Sequence, residues 1–589
     1  MYPRLWWRAG AGAFLMAWLV AGAASASEVT VHAQAGWSGW IPLGAWVPAQ
    51  VELLSTDAVD GTIVIDAPTR DPSGPVSFRH AVRMVPGVRQ RVTLEIIVPE
   101  ARRALLVRVV AQGRELAREE IPLSLRSIAD GVVLVLTREP AGLEHLLDLS
   151  GKLRPAYIAE ADLPVHWQGY AGVVLLVVHD LDPGMVTPEQ REALVQWVEQ
   201  GGRLVVSGGE PLIRLRDSWL AQMLPAEPRG LVRLDPSREL PGVRGPILAT
   251  SLSPRSGATM HGQLRAQGQR GAGAVTVWAV DLLAPDLRTW NGQGALWEEA
   301  LNTPVQSWLI TRDLRDVLPA SRPLTVAMQV WFAVLALAYL GVVRFALLRA
   351  RHSRFGWVPV LALTLLFVPT VYRFGLHARH VGTVAVQMSV VEGIAGAEEA
   401  RVRSVVALLS PYGGAVEFTT PAGARVQPIE PHALTFDSPG AIRGTAPPSG
   451  LQLDVLQLMP TPVGGRLREG PEGQRAEITP RGGLRIEDPV LVRRGQIYHL
   501  PLITTALSIS LDPARWEPFA SHPNPQAALD DRLREWVLAR IASRPGGSGA
   551  SAWLVGRINT PELSIRSRST SVEVHQLVAV PLQGEEGRP

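Results

Sequence analysis

At 589 residues the chain exceeds what one hydrophobic core can hold, so several domains are expected. Its 57 basic and 54 acidic side chains leave a net charge of +3, and no basic cluster lies outside one short loop, which argues against nucleic acid as a partner. The absence of cysteine excludes disulfides, thiolate metal sites, iron–sulfur clusters and a cysteine nucleophile.

The first residues read as an export signal. Arg4 and Arg8 precede an apolar run from Ala11 to Ala23 and the A-x-A site Ala24-Ser25-Ala26, so residues 1–26 are assigned to a signal peptide. Residues 27–127 then carry six or seven short β-branched runs, among them AQVELL, GTIVIDA and RALLVRVVA, separated by Pro, Asp and Gly turn signals. That density of strands predicts an all-β sandwich of immunoglobulin-like type. Trp37, Trp40 and Trp46 would either plug the core or an end of the sandwich, the more frequent use of buried tryptophan, or form a carbohydrate platform.

At Ile128 the period changes. GVVLVLT and GYAGVVLLVV are fully apolar strands, GLEHLLDLSGKL has a helical pattern, and RLVVSGG is a further strand. TPEQREALVQWVEQGG supplies a helix with Thr187 as N-cap, Pro188 at its first position and Gly201-Gly202 as its stop. Strands apolar on both faces that alternate with helices predict a parallel sheet covered on both sides.

Residues 128–303 resemble the core of class I glutamine amidotransferase-like domains, in the branch of trehalose-utilisation-type proteins. The likeness is carried by a strand ending in an acid, by TPEQ opening a helix, by GGRLVV starting the next strand, and by GAGAVTVWAVDLL. Active members of that superfamily use a cysteine nucleophile, and this chain has none, so the resemblance implies the fold without amidotransferase chemistry and without a cofactor. The polar candidates for a ligand site stand at strand ends, where open α/β sheets hold their ligands: His179, Asp180, Ser207, Glu210 and Asp281. Ser207, His179 and Asp180 would make a triad only if adjacent residues of one strand end could align, and VSGGE is not a G-x-S-x-G elbow. The competing expectation is that Asp180 and Ser207 cap helices or hold loops, so no catalytic residue is assigned.

Beyond a linker at 304–322, Leu324 to Val343 holds no ionised side chain, and Gly356 to Tyr372 is a second apolar run. At 1.5 Å per residue the first run would be about 30 Å long, which predicts a transmembrane hairpin of helices 323–347 and 356–374. The arginine-rich loop 348–355 would be cytoplasmic and both large domains extracytoplasmic. His377 and His380, just past the second run, are the closest histidine pair and too few for a zinc site, so no metal is expected. Residues 375–589 read as a β-rich extracytoplasmic domain with one helix, Pro525 to Ser543. The whole predicts a non-enzymatic, multi-pass cell-envelope protein that binds or scaffolds, with the lipid bilayer and other envelope proteins as partners. The alternative is an envelope hydrolase or small-ligand enzyme using the strand-end residues.

Overall fold

The computed structural model describes residues 28–585, apart from 124–127, 139–152, 236–239, 319–325, 351–357, 373–383, 522–526, 545–549 and a scatter of shorter stretches. The assigned signal peptide, the loop 348–355 for the most part, the 142–153 helical pattern except Leu153, and His377 and His380 lie outside the described residues. The chain is built mostly of β-strands.

The N-terminal strands are β1 (Val29–Ala35), β2 (Trp46–Ser55), β3 (Val59–Ala67), β4 (Val76–Met84), β5 (Gln90–Ile97), β6 (Ala104–Ala111) and β7 (Arg114–Pro122). Strands β1, β2 and β5 form one antiparallel sheet, and β4, β3, β6 and β7 are consecutive in another. Alternation decides which side chains meet between them: Leu105, Val107 and Val109 of β6 point inward onto Val47, Val51 and Ile96. The second sheet does not end with this domain. Strand Leu434–Asp437 pairs in parallel with β4, matching Phe436 to Phe78, and carries the sheet on to eight strands through residues 414–446 and 566–567.

The middle of the chain is an α/β unit. It contains β8 (Gly131–Leu136), β9 (Leu153–Ile158), β10 (Val173–Val178), α1 (Pro188–Glu199), β11 (Arg203–Val206), α2 (Glu210–Arg214), β12 (Thr259–His261), β13 (Arg265–Arg270), β14 (Gly273–Trp278) and α3 (Gln293–Leu301). The sheet order is β9-β8-β10-β11-β14-β13-β12, with the first five strands parallel and the last two antiparallel. Every residue of β8 and β14 is buried because both faces are covered. Leu134, Leu176, Leu204 and Val275 face α1, whereas Val133, Leu175 and Val205 face Trp297 and Ala300 of α3. Helix α1 begins with a capping box: Gln190 N donates to Thr187 Oγ1 at 3.3 Å, and Thr187 N donates to Gln190 Oε1 at 3.0 Å. Ala193, Leu194, Trp197 and Val198 give its buried face.

Helix α4 (Val326–Ala350) follows. It corrects the transmembrane expectation. Described from Val326 onward, it carries Arg344 within its length. The second apolar run supplies only short described helical stretches, such as 364–369, tied to α4 by Tyr339 Oη and Thr364 Oγ1 at 2.7 Å. Among the described residues no helix is long and apolar enough to cross a membrane. The two-helix hairpin is therefore not supported, nor is the placement as a multi-pass cell-membrane protein with extracytoplasmic domains that rested on it.

The C-terminal strands include β15 (Val384–Glu392), β16 (Glu399–Leu409), β17 (Leu451–Pro460) and β18 (Glu487–Arg493), then α5 (Leu529–Ala542), β19 (Ala550–Arg557) and β20 (Val572–Glu585). They run in the order β17-β16-β15-β20-β19-β18 within a twelve-stranded sheet. Helix α5 lays Leu533, Val537 and Ile541, four residues apart, on Met388, Val490, Val555 and Leu577. A polar clasp flanks this contact. His575 Nδ1 lies 2.8 Å from Asp530 Oδ1, which raises the His575 pKa chiefly through that hydrogen bond, and the same bond lowers the Asp530 pKa.

Two outcomes are expected. Leu194→Pro removes a helix hydrogen bond and clashes with the preceding turn, so α1 should lose about 3 kcal/mol or more and limited proteolysis should cut between Thr187 and Arg203. The His575 contribution is complete below its ordinary value of 6.5 and is lost as the pH rises through the raised one. The Asp530 contribution is present above 3.8 and is lost as the pH falls through the lowered one. Amide exchange in α5, corrected for the intrinsic rate, should thus be slowest between those two ordinary values, and Asp530→Asn should flatten the profile.

Candidate functional site

The carboxyl ends of β10, β11 and β14 bring together three of the five strand-end candidates. Ser207 follows β11 directly, its amide donating to Val178 O at 2.9 Å. Its Oγ accepts from Leu282 N at 3.0 Å and lies 3.3 Å from His179 Nδ1. Asp281 Oδ1 is 3.4 Å from that same His179 nitrogen. Ser207 is only 1% exposed.

This grouping has the residue types of a hydrolytic triad and the wrong connectivity. A relay needs the serine on one ring nitrogen and the carboxylate on the other, so that one accepts a proton while the other is held. Here both neighbours share Nδ1. If that nitrogen carries a proton toward Asp281, it cannot take one from Ser207, and the serine oxygen is already an acceptor for a backbone amide. Asp180 takes no part: it faces the other way and pairs with Arg214 at 2.6 Å.

Glu210 opens α2 and is exposed. The turn before it is pressed against the residues after β14. A Cβ at Gly208 would lie 2.2 Å from Trp278 O, and Gly209 has φ of 74°. Beside the turn lies a cleft of about 430 Å³ lined by Glu210, Pro211, Arg214, Ile247, Leu248 and Asp281, among others. Ser207 and His179 are not among its lining residues. Arg214 and the Ile247–Leu248 wall were not anticipated, because nothing in the spacing links them to Asp180 or Asp281. Among the described residues no three histidine or acidic side chains could together hold a metal ion.

A second polar cluster lies where the N-terminal sandwich, the α/β unit and the C-terminal strands meet. Glu95 of β5 has a side chain only 5% exposed. It forms an ion pair with Arg425 of the C-terminal part and accepts the approach of His166 Nδ1 from the α/β unit at 3.1 Å. The Arg425 guanidinium also lies 5.5 Å from the Trp46 ring centre, and Trp46 packs edge-on against Phe78 and Phe436. Around this point Arg91 binds Asp162 at 2.6 Å, Gln427 donates to Gly44 O at 3.1 Å, and Gln168 donates to Gly423 O at 3.4 Å. Tyr170 stands between Trp37 and Trp197, and its phenol is pushed far up by burial and secondarily by the Glu95 charge.

The tryptophans take their places here. Trp37 belongs to the core of the α/β unit and Trp46 to the sandwich, while Trp40 is half-buried with Arg154 5.3 Å from its ring centre. None of the three offers an open platform for a sugar.

A family described as a domain of unknown function (DUF8726) matches residues 28–124, the sandwich alone. No curated protein matches the chain. Among solved structures, a β-glucosidase from Listeria innocua in complex with glucose is 17% identical over 16% of each chain, at a TM-score of 0.13. The chain thus spans about a sixth of that enzyme's length. The yeast delta-COP-I mu-homology domain complexed with the Dsl1 WxWxV peptide is 9% identical, over 35% of this chain and 98% of that one, at 0.20. A glycosyl hydrolase family 2 member from Bacteroides cellulosilyticus is 8% identical, over 82% and 78%, at 0.15. These likenesses are too weak to carry fold or function, and none of these matches supports the glutamine amidotransferase-like resemblance of residues 128–303.

Proposed function

We propose that the chain is a non-enzymatic scaffold in which a sandwich, an α/β unit and a C-terminal β domain are held at fixed angles to present binding surfaces. The observation that carries this reading is the Glu95 junction. A carboxylate withdrawn from water is tolerated only when its charge is matched, and the matching groups come from two other parts of the chain. The eight-stranded sheet shared by β4 and Leu434–Asp437 acts in the same sense. The strand-end residues support the reading too, since Ser207 spends its hydroxyl on the Leu282 amide and shares a nitrogen with Asp281.

Arg425→Ala should leave the buried Glu95 with His166 as its remaining partner, at a cost of about 3 kcal/mol to the docking of the three parts. Small-angle scattering of the full chain should then show a larger radius, and proteolysis should release separate fragments. A variant as compact and as resistant as the parent overturns the scaffold reading.

The hydrolase alternative is met by a direct assay. The full chain should release no ammonia from glutamine and turn over no activated ester above background. Ser207→Ala should lower stability by about 1 to 3 kcal/mol, because the Leu282 amide loses its acceptor. Ester turnover that this substitution reduces by about 10³ or more would establish the enzyme instead.

A further inference from the structure

Where α1 meets β16, carboxylates face one another across an interface. Glu399 of β16 receives Gln196 Nε2 of α1 at 3.3 Å on one oxygen. Its other oxygen, Oε2, is sealed from solvent without a hydrogen-bond partner. The remaining charges around it are mostly of the same sign. Glu192 and Glu199 approach from α1 and Glu398 precedes it on its own segment. Glu199 is partly offset by Arg270 of β13, whose Nε is 3.0 Å away. Farther along β16, Arg401 stacks over Trp308 at 5.0 Å and Arg403 is matched by Asp454, so neither is an ion-pair partner of Glu399.

We infer that Glu399 is a proton-operated coupling between the α/β unit and the C-terminal domain, tightening their contact when it is protonated and loosening it when it is ionised. A protonated carboxyl turns Oε2 into a donor or a neutral group and removes the repulsion from Glu192 and Glu199; an ionised one leaves a sealed oxygen charged among like charges. Burial first, then the Glu199 charge, raises its pKa above the ordinary 4.5, in keeping with that geometry. The sign follows: below 4.5 the group is protonated docked or undocked and adds no pH dependence, and the docked state loses this advantage as the pH rises through the raised value. The inference deepens the scaffold reading, since it makes the angle between two of the joined parts responsive to acid.

The test uses the full chain and amide exchange, corrected for the intrinsic rate, in peptides covering α1 and the start of β16. In the parent, protection there should rise about threefold as the pH is lowered from 8 toward 4.5, the size of one partly screened charge contact. Glu399→Gln should show the high protection at every pH, and the parent-minus-variant difference should vanish at the acid end. That difference cancels the His575 clasp, which both proteins keep. Lower protection of Glu399→Gln at pH 8, or an unchanged pH profile, overturns the coupling. Should that variant misfold, Glu192→Gln decides: a flatter profile in folded protein supports the coupling and an unaltered one overturns it. Arg425→Ala acts at a separate contact, so the scaffold reading and this coupling fail or stand by different measurements.

Discussion

The arrangement of this molecule depends on one carboxylate. Glu95 is held almost out of water on the sandwich, and its charge is answered from two directions by residues about 70 and 330 positions away, His166 and Arg425. A buried ion pair is poor evidence of net stability, because desolvating both charges offsets most of their attraction. Its effect is on specificity. Any other docking of the three parts would leave Glu95 charged and unmatched, which is far more costly than leaving two apolar patches imperfectly packed. The aromatic group beside it, Trp46 with Phe78 and Phe436, supplies the non-directional share of the contact, and the ion pair selects its geometry.

The same logic separates the two polar centres. At the junction every charge is answered from another part of the chain. At the strand ends the polar groups are answered locally: Ser207 by the next loop's amide, Asp180 by Arg214 four residues into the helix that Glu210 begins. Such local satisfaction is what holds strand-to-helix turns in shape. A cleft remains beside them, with Glu210, Arg214 and Asp281 on its wall, but Ser207 is not among its lining residues.

What the sequence made legible was local. The Thr187–Gln190 capping box and the buried face of α1 follow from spacing within a dozen residues, and uniform apolarity of β8 and β10 follows from burial on both faces. The unreadable parts are set by long-range pairing. Nothing in the alternation of Leu434–Asp437 says that it extends a sheet begun at Val76, since any edge strand would serve as well. Asp281 rather than Asp180 reaches His179 because β14 lies next to β11, an adjacency visible only once the strand order is known. The membrane expectation failed differently: it counted uncharged residues, whereas among the described residues no helix is both long and apolar enough to cross a membrane.

The distance between the Ser207 grouping and a working relay can be stated in terms of one ring. Even if the His179 imidazole offered a separate nitrogen to each neighbour, the serine would still be 1% exposed and still accepting from Leu282 N. Freeing the hydroxyl means moving the 281–282 turn, which Gly208 holds by donating to Val280 O at 2.9 Å, with no room for a side chain against Trp278 O. Opening the turn therefore means breaking the Gly208–Val280 hydrogen bond just past the β11–β14 pairing. The Ser207 hydroxyl is thus engaged by the fold's own hydrogen bonds.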